Sequence, residues 1–245
     1  MELKIFKDYE ALSLAACEAI ISVIKAKPDA VLCLATGQSP ILTYELLVEK
    51  ITANKIDISK ITFIGLDEWV GIPPEVEGSC QHFLQTRLFK PLNVSASQTH
   101  LFNALAEDLE NECSRMNNII EAKGGIDLML VGIGMNGHIG FNEPGVEIDN
   151  YTHVVELDET TKAVGQKKYF DKPVTIGKGI TLGLQNFLEA RFAIMIANGT
   201  KKAEIIKKAI EEPISTNVPA TVMRMHKNSL LMIDEEAASL LKEIV

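Results

Sequence analysis

The chain has 245 residues, 47% hydrophobic and 23% charged. That is enough to bury a core without disulfide or metal staples, and too apolar for a disordered or fibrous chain. Lys and Arg number 24 against 33 Asp and Glu, a net charge of −9, a poor footprint for a nucleic-acid or anionic-membrane binder; an anionic small substrate would need local positive contacts.

Strand-like and helix-like segments alternate along the chain. Leu3–Phe6 reads as a short strand, and Tyr9–Lys27 repeats apolar residues at helical spacing and stops before Pro28. Ala30–Ala35 is an apolar run short enough for a buried strand. Ser39 is expected as an N-cap and Pro40 as the first helical residue of a helix to about Thr52. Ile61–Leu66 is the next strand, Ser79–Leu88 a helix and His100–Phe102 a short strand. Ala106–Lys123 is a helix ended by Gly124-Gly125, followed by a buried strand, Ile126–Val131. In the second half, His153–Leu157 is strand-like, Thr160–Phe170 helical and Ile180–Leu188 a turn with a short helix. Phe192–Ala197 is a strand, Lys201–Ile210 a helix, Ser229–Ile233 the last strand, and a terminal helix starts at Glu235. Strands alternating with helices predict a single domain, residues 1–245. Its expected fold is α/β, doubly wound, with a mostly parallel sheet and helices on both faces. There is no internal repeat and no Gly/Ser/Pro-rich linker.

Cys17, Cys33, Cys80 and Cys113 form no CxxC pair and match no zinc spacing. The N-terminus lacks the apolar core of a signal peptide, and no apolar stretch approaches the roughly 20 residues of a membrane span. A reducing cytoplasm is the expected compartment.

The informative residues fall in three loops, each after a buried strand, where open parallel sheets bind ligands. In the first, Ala35-Thr36-Gly37-Gln38-Ser39-Pro40, Gly37 admits close backbone approach and Thr36 and Ser39 offer hydroxyls beside a helix N-terminus. That set suits a phosphate, although an ordinary strand–helix turn reads alike. The second, Asp67-Glu68-Trp69-Val70-Gly71, offers a general base or, equally, a helix cap or a surface acidic turn. Trp69 is expected to pack. The third, Gly132 to Gly145, holds six Gly or Pro among its residues. It places His138, Glu143, Asn136 and Asn142 in a tight turn suited to proton transfer near neutral pH. Its glycines do not fit a dinucleotide loop. The other histidines carry no recognisable motif.

LATGQSP, LDEWVG and GIGMNGHIGFNEPG, in this order, resemble the signature segments of the aminosugar-6-phosphate deaminase/isomerases, which act on glucosamine 6-phosphate or galactosamine 6-phosphate. The resemblance extends to GITLGLQNFLEA near residue 180 and GTKKA at 199–203. LATGQSP, LDEWVG and PGVEIDN resemble the galactosamine-type members more. The resemblance implies that Asp67 is the base that moves a proton between C2 and C1. It implies that His138 is the ring-opening acid/base, that Glu143 orients it, and that Asn136 stands where many members have an acid. Thr36, Gly37, Ser39 and Lys202 match the phosphate site. Lys168, or Lys167 after a one-residue shift, falls at a phosphate-binding arginine and keeps the charge without the bidentate fork.

On this resemblance the partner is a small phosphosugar, with no metal or organic cofactor, no nucleic acid and no membrane. The segment Val146–Val155, where allosteric hexameric members carry basic residues, has two acids and no Lys or Arg. A monomer or dimer is therefore expected. The competing expectations are a 6-phosphogluconolactonase-type hydrolase, which would use His138 without needing Asp67, and a sugar-phosphate-sensing module, disfavoured by the negative charge.

Overall fold

The structure, a computed structural model, describes residues 1–242. The chain runs β1 (Glu2–Phe6), α1 (Tyr9–Ala26), β2 (Val31–Leu34), α2 (Ile41–Ala53), β3 (Thr62–Ile64) and β4 (Asp67–Trp69). There follow α3 (Cys80–Leu84), β5 (Thr99–His100), α4 (Leu109–Ala122), β6 (Leu128–Gly132), β7 (His153–Glu156), α5 (Glu159–Tyr169) and β8 (Lys178–Thr181). The last elements are α6 (Leu184–Glu189), β9 (Ala193–Ala197), α7 (Ala203–Glu211), β10 (Ser229–Asp234) and α8 (Glu235–Ala238).

Seven strands form one sheet in the order β1-β10-β9-β6-β2-β3-β5, parallel throughout. Every residue of β2, β9 and β10 is buried. Central strands covered on both faces must be apolar on both, which is why these segments read as near-continuous hydrophobic runs, with Ser229 and Asp234 only at the ends of β10. Their side chains still alternate. Cys33, Met129, Val131 and Met195 join a core with Phe187 and Ile206 on one face, and Leu32, Leu128, Leu130 and Ile194 join Leu12, Ile20 and Leu47 on the other. Helix α1 presents Leu12, Ala16, Ile20 and Ile24 inward on one stripe. It starts at Asp8, whose carboxylate accepts the Ala11 N–H at 2.8 Å.

The predicted doubly wound parallel sheet is present, with a second element that the sequence did not announce. Asp67–Trp69, expected as a loop, is strand β4 of a small antiparallel sheet, β4-β8-β7. His153–Glu156 is a strand as expected but belongs to this small sheet. At 180–188 the expected short helix is α6, but the residues before it, Lys178–Thr181, are strand β8 where a turn was expected. Burial explains the extended conformation, since Ile180, Leu182 and Trp69 all need cover. Trp69 packs on Phe141 with ring centroids 4.5 Å apart, and with Leu157 and Phe170 it makes a third apolar cluster under α5.

Ser39 is not the cap of α2. Pro40 holds that position without a side-chain bond. The Tyr9 hydroxyl serves instead, accepting the Leu42 N–H at 3.1 Å and donating to the Ser39 carbonyl at 3.0 Å. A remote phenol thus satisfies a helix-end donor and ties the turn's last carbonyl to α1. Helix α3 is shorter than expected and continues as a π-helical turn, Gln85–Phe89. Helix α4 starts at Leu109 behind its Asp108 cap. No helix among the described residues is long and apolar enough to cross a membrane.

Candidate active site

The three loops meet at the carboxyl edge of the large sheet, around a cavity of about 340 Å³. Volumes of this order hold a phosphorylated monosaccharide. Thr36, Gly37, Ser39, Asp67, Asn136, His138, Lys168 and Lys202 all line it. Glu143 stands behind His138, outside the lining.

The first wall is the turn after β2. Gly37 has φ +105°, the left-handed region that favours glycine, and a Cβ there would stand 3.2 Å from the Tyr169 hydroxyl. Thr36 Oγ1 donates to Cys80 Sγ at 3.4 Å. Two ammonium groups face this turn from elsewhere in the chain. Lys202 lies in the 3₁₀ turn before α7 and donates to the Ile133 carbonyl. Burial, helped by Lys168, lowers its ammonium to about 8. Lys168, in the last turn of α5, lines the cavity and Lys167 does not. Hydroxyls, turn amides and two lysines on one cavity wall are the kind of groups that hold an anion in an acidic protein.

The two acids of DEWVG have separate fates. Glu68 is fully buried, and its carboxylate accepts the N–H groups of Trp69, Cys80 and Gln81, each at 2.9 Å. It pins the start of α3 to β4 and does not line the cavity. Asp67 is half-buried on the cavity floor, and its Oδ1 has no hydrogen-bond partner. Burial pushes its carboxyl up to about 7, a thiol contact from Cys80 opposing the rise and Glu68 adding to it. A lone carboxylate that titrates near neutrality is suited to general base work.

In the third loop, His138 Nδ1 lies 3.4 Å from Glu143 Oε2. Asn136 Nδ2 donates to the same oxygen at 2.7 Å, and Asn136 Oδ1 accepts the His138 N–H at 3.2 Å. Burial raises the Glu143 carboxyl, but bonds from His138, Thr161 and Asn136 outweigh it and hold the group below its ordinary range. Glu143 is thus an anion beside an imidazole. Two glycines make room. A Cβ on Gly134 would sit 2.3 Å from the His138 ring, and one on Gly140 would sit 2.7 Å from Thr181 Oγ1 and 3.4 Å from Asp67 Oδ2.

Sequence reading missed Thr161, Tyr169 and Cys80, which also line the cavity. The signal for Thr161 was present: with Gly165 and Lys168 it follows an i, i+4, i+7 stripe on α5. His226, by contrast, is tied to the Ala190 carbonyl and the Asn228 N–H, away from the cavity. Among the described residues, no three His, Cys, Asp or Glu side chains converge as a metal site requires.

A doubly wound sheet with an acid, an imidazole beside a carboxylate, and hydroxyls and lysines around one cavity at its carboxyl edge has the groups that proton transfer on a small anionic ligand needs. The family model for glucosamine-6-phosphate isomerases/6-phosphogluconolactonase matches residues 7–232, and the chain belongs to this family. It is 41% identical to the Escherichia coli (strain K12) protein named "Putative deaminase AgaI", over 93% of this chain and 90% of that one. It is 40% identical to the glucosamine-6-phosphate deaminase of Thermoanaerobacter sp. (strain X514), over 99% of this chain and 96% of that one. A solved monomeric glucosamine-6-phosphate deaminase superposes with a TM-score of 0.94 at 36% identity, covering 98% of this chain and all of its own. The 6-phosphogluconolactonase structures, at 16–20% identity and TM-scores of 0.75–0.77, share the fold.

Proposed function

We propose that the protein converts a 2-amino-2-deoxy-hexose 6-phosphate, galactosamine 6-phosphate or glucosamine 6-phosphate, to a ketose 6-phosphate and ammonia. The observation that carries this reading is Asp67. It is a carboxylate on the cavity floor with a free oxygen and a pKa raised to about 7, in the same cavity as His138. Lactone hydrolysis needs one base to activate water and leaves Asp67 idle. Aldose–ketose isomerisation needs a second base beside C2.

In this mechanism, Thr36, Gly37, Ser39, Lys202 and Lys168 take the phosphate dianion. His138 removes the proton of the anomeric hydroxyl and delivers one to the ring oxygen, opening the ring. Glu143 holds the imidazole and offsets the charge it gains, with Asn136 fixing the carboxylate. Asp67 then takes the C2 proton, giving an enolamine, and returns a proton to C1. Water adds to the resulting imine at C2 and ammonia leaves. These steps use only groups that line the cavity or support them.

The same reading gives hyperbolic kinetics and a monomer or dimer. Glu147 and Asp149, with no Lys or Arg between residues 146 and 155, would repel an effector phosphate there. Light scattering that finds a hexamer would overturn this part. The main test is ammonia release with both hexosamine 6-phosphates side by side, with 6-phosphogluconolactone as control. Ammonia with stoichiometric ketose 6-phosphate is expected. Lactone hydrolysis without ammonia from either amino sugar would replace this reading with the lactonase one.

A further inference from the structure

His138 has a second partner. Thr161, on α5, is 5% exposed and places Oγ1 3.2 Å from His138 Nδ1, closer than the 3.4 Å to Glu143 Oε2. A hydroxyl has one proton to give and lone pairs to accept with. Glu143, an anion, can only accept. One arrangement uses what each group offers: Nδ1–H donates to Thr161 Oγ1, and the Thr161 O–H is left to donate to the Glu143 carboxylate, whose Oε1 is buried with no other partner. The depressed Glu143 carboxyl, held down in part by a Thr161 hydrogen bond, agrees with a hydroxyl that donates to it.

We propose that Thr161 is a positioning residue for ring opening, its hydroxyl bridging the His138 imidazole and the Glu143 carboxylate so that Nδ1 keeps its proton and Nε2 presents a lone pair to the cavity. This rests on the deaminase reading for its kinetic consequence only. If Nδ1 were the bare nitrogen, its lone pair would face the Glu143 anion, and Nε2 would carry a proton where the anomeric hydroxyl must give one up. When His138 takes that proton at Nε2, the imidazolium charge is met by Glu143 directly and through the Thr161 hydroxyl. Passing the proton on to the ring oxygen restores the neutral ring, so Thr161 gains and loses nothing over the cycle. The bridge also joins two parts of the fold. His138 and Glu143 belong to the loop after β6, and Thr161 belongs to the helix that carries Lys168, one of the phosphate lysines.

The test separates the hydroxyl from its volume. Thr161→Val keeps the branched shape and removes the bridge, Thr161→Ser keeps the bridge and loses a methyl, and Thr161→Ala is a second removal variant should valine disturb folding. Thermal melts establish that each variant folds. Thr161→Val should lower kcat about tenfold, leave KM within twofold, and leave the affinity for the acyclic alditol of the hexosamine 6-phosphate unchanged, because that ligand needs no ring opening. Thr161→Ser should stay within twofold of wild type. Long-range ¹⁵N spectra, with His138 assigned through a His138→Gln variant, should show the Nδ1–H tautomer in wild type and in Thr161→Ser, and a mixture of tautomers in Thr161→Val. Wild-type turnover in Thr161→Val, equal damage from serine and valine, or an unchanged His138 tautomer without the hydroxyl would each overturn the proposal. The tautomer measurement needs no turnover. A wild-type protein that releases no ammonia would therefore sink the deaminase reading while the bridge is still decided by the spectra.

Discussion

Asn136 Nδ2 and Glu143 Oε2 are joined by a 2.7 Å hydrogen bond across one turn of the loop after β6. The amide satisfies the carboxylate without adding a second negative charge beside it. Asn136→Asp would set two carboxylates at this separation, and both cannot ionise together near neutral pH. The Glu143 carboxyl should then rise from its depressed value, and kcat at pH 6 should fall several-fold while recovering at higher pH. A kcat–pH profile that superposes on wild type would show that the Asn136–Glu143 contact has no electrostatic role.

Asp67→Asn should lower kcat by on the order of 10²-fold or more, because the amide cannot accept the C2 proton, with KM changing little. The same variant should be more stable at alkaline pH. The folded carboxyl titrates at about 7 against 3.8 ordinarily, so the native state holds its proton longer than the unfolded chain. That contribution is complete below the unfolded value and is lost as pH rises to about 7. Above pH 7 the buried charge weighs on the fold by at most about 4 kcal/mol, and asparagine removes it. Melting temperatures should separate by several degrees at pH 8 and converge toward pH 4.

Asp67 must lose its proton near pH 7 and Lys202 must keep its own below about pH 8. In the free enzyme kcat/KM should therefore rise through the first value and fall beyond the second, a narrow bell. Lys202→Ala should raise KM for the phosphorylated substrate about tenfold or more and abolish the alkaline limb, with a smaller change in kcat. An unchanged KM would place Lys202 outside the phosphate site.

Glu68→Gln should destabilise the protein by about 1–3 kcal/mol. Glutamine keeps the shape but turns one oxygen into an NH₂ that must face a backbone N–H of Trp69, Cys80 or Gln81. Thermal melting is the measurement, and the drop should be present with or without substrate. A melt equal to that of wild type would mean that the α3 start does not depend on the carboxylate.

Much of this was written locally. The near-continuous apolar runs at 30–35, 126–131, 192–197 and 229–233, broken only by Asp127 and Ser229, specify central parallel strands because both faces are covered. The Gly-rich loop from 132 to 145 announces itself, since so few apolar residues cannot be there for core volume. The small sheet was not legible. Asp67–Trp69 is three residues long, and Lys178–Thr181 becomes a strand only by pairing with it, so no periodicity could show either. Ser39 looked like a cap because nothing in its neighbourhood reveals that the Tyr9 hydroxyl occupies that role from another helix.

The sequence by itself determined the alternation of strands and helices, the three loops at strand ends and the residue types suited to proton transfer and anion binding. These follow from hydrophobic patterning and from side-chain chemistry, both local properties. Tertiary structure alone decided which of two adjacent acids is free and which is a staple. Asp67 and Glu68 are neighbours with the same charge, but successive residues of a strand point to opposite faces. One face of β4 meets the backbone N–H groups at the start of α3 and the other meets an open cavity. It also decided that Thr161 reaches His138 across 23 residues of sequence, because α5 is laid over the loop by the packing of Trp69 and Phe141, a contact that no local pattern encodes.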